Sequence, residues 1–96
     1  MIPVETLASN LSHQLGISQS ELLYKGLLAF IQKEIRCAEQ EIGDIRERYN
    51  VFSLEELYDA IKDGTIPGHP SWEDYIIWKN KTAHITSLRQ LLSGSC

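Results

Sequence analysis

The chain has 96 residues, a formal net charge of −4, and a composition that is 43% hydrophobic and 23% charged. These values exclude a disordered segment and give one domain at most, with a thin core. No lysine- or arginine-rich block is present, so the basic stripe that a protein needs to bind nucleic acid on its own is missing.

The first helix is expected over residues 4–14. Val4, Leu7, Ala8, Leu11 and Leu15 fall at three-and-four spacing and make one apolar stripe. Pro3 suits a helix start and Gly16 a helix stop. The sequence Ser18, Gln19, Ser20, Glu21 reads as a capping box that opens a long second helix over residues 18–48. Along it Leu27, Ile31, Ile35, Ala38, Ile42, Ile45 and Tyr49 repeat in a heptad-like seam. At 1.5 Å per residue such a helix is ~45 Å long, more than one short neighbour can cover. Leu27, Ile31, Ile35, Ile42 and Ile45 are therefore expected to form an oligomerisation seam, most simply in a homodimer.

A third helix is expected over residues 53–63. Ser53 and Glu56 form a second capping box, and Asp63 and Gly64 close the helix. The segment from Thr65 to Pro70 holds two prolines and reads as a loop. The fourth helix is expected over residues 71–93, with Glu73 and Asp74 in its first turn, where the helix dipole favours acids. The second and fourth helices are long enough to lie antiparallel, with the third helix and the loop turning the chain. No β-alternation or repeat appears. The expected fold is all-α: a helical hairpin or small bundle built on one long helix, in a single domain over residues 1–96.

Two features point to a partner. Between Ser53 and Asp74 six acids face Lys62 alone, a net −5 that leaves +1 for the rest of the chain; such a stretch suits a basic protein surface. The fourth helix also concentrates Trp72, Tyr75, Ile76 and Trp78, with Tyr58 upstream. Trp and Tyr dominate interface hot spots, and the run Ile76, Ile77, Trp78 makes the helix apolar around more than one stripe. Tyr58, Trp72, Tyr75, Ile76 and Trp78 are the candidate partner-binding residues. Set against this is the plainer role of aromatics in filling a thin core.

Recognisable chemistry is missing. His13, His69 and His84 have no metal-ligand spacing, and no nucleophile elbow or glycine-rich phosphate loop occurs. No enzyme activity, metal or cofactor is expected. Cys37 and Cys96 make no disulfide framework, the N-terminus does not read as a signal peptide, and no apolar run approaches a membrane span. A cytoplasmic protein without membrane contact is expected.

Two stretches resemble a known family. Leu15, Gly16, Ile17, Ser18, Ser20, Glu21 and Leu22, followed by a long helix, resemble the helical portion of ribbon-helix-helix-type antitoxins. Phe52, Ser53, Leu54, Glu55, Glu56 and Leu57, then Gly64 and Ile66, then Ser71, Trp72, Glu73, Asp74 and Tyr75, look like small prokaryotic antitoxin-like proteins. The resemblance implies a type II antitoxin that neutralises a cognate toxin, commonly a ribonuclease, by direct contact. One departure stands out: Met1 to Val4 contain Pro3 and no basic residue, so the DNA-reading strand of that family is lacking. Toxin binding through the C-terminal helices is the expected activity. A helical scaffold or dimerisation subunit is the alternative, and a DNA-binding regulator using residues 15–28 comes third.

Overall fold

The computed structural model describes residues 2–94, which form four helices and no strand: α1 (Val4–Leu15), α2 (Gln19–Tyr49), α3 (Leu54–Lys62) and α4 (Gly68–Gly94). The fold is all-α, as the sequence predicts. The helix bounds agree with the expected ones except at α4. There a first turn begins at Gly68, and His69 is extended (φ −125°, ψ 127°), the conformation that the following Pro70 favours.

The helix ends show why these segments stop where they do. Gly16 adopts φ 69°, which a side chain would resist. Its N–H donates to the His13 carbonyl at 3.3 Å and that of Ile17 to the Ser12 carbonyl at 3.1 Å, which closes α1 in a Schellman motif. Asn50, at φ 54°, ends α2 in the same way: the Asn50 N–H reaches Glu47 and the Val51 N–H reaches Arg46. Ser18 and Ser53 cap as expected, their hydroxyls accepting the N–H of Glu21 at 3.0 Å and of Glu56 at 3.1 Å. The reciprocal half of each box differs from expectation. The Glu56 carboxylate accepts the Phe52 N–H instead of that of Ser53, and Glu21 pairs with Lys25 at 3.4 Å.

The chain divides within α2 into two compact units, Met1–Lys33 and Glu34–Cys96. The first holds α1 and the opening turns of α2, and Ser12 is its one buried residue among those described. The second holds the remainder of α2 with α3 and α4. Its core is Ile35, Ala38, Ile42, Ile45, Leu57, Ile61, Trp78 and Ile85. Within this unit α2 and α4 run antiparallel, tied by Arg48–Asp74 at 2.8 Å, Lys81–Glu41 at 3.0 Å and Arg89–Glu39 at 3.0 Å.

This packing corrects the expected oligomerisation seam. Ile35, Ile42 and Ile45 are buried in the chain's own core, because α4 supplies in cis the partner that a heptad seam demands. An interface could use them only by opening that core. Leu27 is exposed and Ile31 half-buried; both lie in the first unit.

Candidate functional site

The aromatic residues that the sequence singles out separate into two groups, and helix geometry explains why. At 3.6 residues per turn, Trp78 points about 120° away from Trp72 around the α4 axis, with Tyr75 between them and Ile76 on the far side of Trp72. Trp78 is 4% exposed, packs in the core and carries the Arg46 guanidinium over its ring at 5.3 Å. It is a core residue and drops out of the candidate partner surface. Tyr75 is half-buried. Trp72 is 40% exposed, Tyr58 37% and Ile76 53%, so these three remain available.

Tyr58, Trp72 and Tyr75 form a closed triad. Ring centroids are 5.7 Å apart for Tyr58–Trp72, 5.6 Å for Tyr58–Tyr75 and 5.5 Å for Trp72–Tyr75, and both pairs that include Trp72 meet edge to face. This is the arrangement that the ring quadrupoles favour. Lys62 lies over the Tyr58 ring at 5.4 Å. Behind Trp72 stands Gly68: a Cβ there would lie 3.2 Å from Trp72 Cδ1, so the absent side chain makes room for the indole.

The acids divide as well. Glu55, Glu56 and Asp59 on α3 and Glu73 on α4 are exposed, on the same two helices that carry the aromatic triad. Asp74 is buried and is not a surface charge. Its Oδ2 accepts from Arg48 Nη1 at 2.8 Å and from the Tyr49 hydroxyl at 2.5 Å. The hydrogen bond and charge of Asp74 raise the Arg48 pKa. Burial, and secondly the bond to Asp74, raise that of Tyr49 above its ordinary value. Asp63 is exposed and accepts both the hydroxyl and the N–H of Thr65, which hold its carboxyl below the usual range. The anchoring group of Arg48, Tyr49 and Asp74 was invisible in the sequence, because its members stand 25 and 26 positions apart with no motif joining them.

No group of three His, Cys, Asp or Glu residues among those described could hold a metal ion. His69 pairs with Glu73 at 3.2 Å on the surface. Cys37 is exposed, and Cys96 lies outside the described residues. No helix among the described residues is long and apolar enough to cross a membrane.

The sequence also left a large apolar surface unassigned. In the first unit a groove of about 600 Å³ runs between α1 and the start of α2, lined by Leu7, Leu11, Leu23 and Leu27 with Gly26 at its wall. The α1 stripe signalled one side of it. The doubled leucines at 22–23 and 27–28 were the signal for the other. No curated protein and no solved structure matches the chain. Residues 1–94 match the family described as Uncharacterized protein MJ0235 family, and the chain belongs to that family.

Proposed function

We propose that this chain is an antitoxin-like binding protein that acts in the cytoplasm and silences a cognate toxin, of ribonuclease type, by direct contact through α3 and α4. The observation that carries the reading is the exposed triad face of Tyr58 and Trp72, mounted on helices that also display Glu55, Glu56, Asp59 and Glu73. Rigid aromatics supply affinity at little conformational cost, and surrounding acids steer a basic surface towards them. A protein that cleaves RNA presents such a basic surface at its substrate groove.

The test is co-expression with the product of the adjacent gene, followed by co-purification and a growth assay. The neighbour alone should arrest growth and should be silenced in a stable complex. Tyr58→Ala with Trp72→Ala should weaken the complex by at least about 2 kcal/mol, the hot-spot range, while circular dichroism stays helical. A harmless neighbour that does not co-purify refutes the antitoxin reading. A complex unaffected by the double substitution refutes the assigned surface.

The second reading is a helical scaffold without a regulatory target, and the open apolar groove of the first unit favours it. A self-assembled particle with no separate partner decides for it. DNA binding has the weakest basis, since residues 15–28 offer Lys25 as their only basic side chain and Lys25 is paired with Glu21.

A further inference from the structure

We propose that the N-terminal hairpin is a dimerisation module, its apolar groove filled by the same hairpin of a second copy of this chain. The first unit buries little of its own apolar surface. Leu7, Leu11, Leu23, Leu27 and Phe30 keep between 37% and 63% of their surface exposed, and Ser12 is the one buried residue described there. Chains below ~40 residues rarely hold a fold without association, a metal or a disulfide, and two short helices gain their stability from a covered apolar face.

Three observations select a second copy as the occupant. The first is charge. The hairpin carries Glu5 and Glu21 against Lys25 and Lys33, so it is neutral, and the whole −4 of the chain lies in residues 34–96. A unit without net charge does not steer a basic protein, an acidic peptide or an anionic lipid surface, and its groove has Glu5 as the single charged residue among its lining. The second is area. Six of the exposed large apolar side chains line the groove, Ile2, Val4, Leu7, Leu11, Leu23 and Leu27; at the ~60–120 Å² that burying such a side chain removes from water, they offer about 500 Å² per chain. That is near the lower end of the ~600–1,000 Å² per partner of a specific interface. The third is Gly26. A Cβ at that position would meet open space, so nothing within one chain requires glycine there, and mid-helix glycine costs about 1 kcal/mol against alanine. A glycine at the wall of an open apolar groove fits close approach by another helix. Two such hairpins, related by a two-fold axis, present the same patch to each other and close into a four-helix arrangement.

The test is sedimentation equilibrium on the full chain across a concentration series, beside the variants Gly26→Leu and Leu27→Glu. Leucine is a better helix former than glycine and has room within one chain, so Gly26→Leu separates loss of pairing from loss of folding. The wild type should sediment at twice its 10.9 kDa mass. Each variant should raise the dimer Kd at least about 100-fold while circular dichroism retains the helical signal. A wild type that is monomeric at about 100 μM, where any Kd below that value gives mostly dimer, overturns the proposal. So does a dimer that both variants leave intact, or a monomer whose hairpin becomes protected only when phosphatidylcholine vesicles are added.

Discussion

Tyr49 and Asp74 show how much one hydroxyl does in a thin core. The phenol donates to a buried carboxylate that Arg48 also reaches. Tyr49→Phe removes one of two donors and should destabilise the chain by about 1.5–3 kcal/mol, the range for a hydrogen bond to a charged group. Urea denaturation at neutral pH reads this directly. The same residue carries an alkaline signature. Its folded pKa is raised, first by burial, so the folded state holds the phenolic proton while the unfolded chain releases it near pH ~10. The stability from this group is therefore complete below that pH and is lost as pH rises through the folded pKa. Tyr49→Phe should remove that loss, so the gap between wild type and variant narrows when urea midpoints are compared at about pH 9 and about pH 11. An unchanged gap would mean that the phenol does not titrate differently in the two states.

Among the helices, α3 depends most on its neighbours. Nine residues are too few for a stable isolated helix, so it stands on its cap and on Leu57 and Ile61, which enter the core. Ser53→Ala should cost about 1 kcal/mol, seen as a lower urea midpoint with an unchanged slope. Element positions were legible in the sequence because the serines, glycines and Asn50 that start and stop these helices act locally. The occupant of each apolar stripe was not legible. The spacing of Ile35, Ile42 and Ile45 demands a helical mate but does not say whether that mate comes from the same chain, and α4 takes the place that a second subunit was expected to fill. The aromatic run of α4 has the same ambiguity. Spacing places Trp72 and Trp78 on different sides of the helix, and it takes the packed structure to say which side faces in.

At the scale of the whole molecule, stability rests in the second unit. Leu57 is fully buried, between the elements that make up that unit's core. Leu57→Ala should cost about 2–5 kcal/mol, a large part of the stability of a small domain, and should lower the thermal midpoint accordingly in calorimetry. A loss below about 1 kcal/mol would mean that the site collapses around the smaller side chain. For the candidate surface the sequence names residues but not their exposure: Tyr58, Trp72 and Ile76 are exposed and Trp78 is buried, and the hairpin groove went unassigned because exposure cannot be read from an apolar stripe alone.

The Asp74 anchor has one more consequence, for alignment. Apolar seams between antiparallel helices tolerate a slip of one turn, about 5.4 Å, since leucines and isoleucines meet equally well one turn along. A slip of α4 along α2 would carry the Asp74 carboxylate away from both of its donors and strand a buried charge. That costs about 3–5 kcal/mol. The ion-paired carboxylate thus adds little net energy to the correct pairing and penalises the wrong ones, so that of several nearly equivalent ways to zip two greasy helices together only one survives.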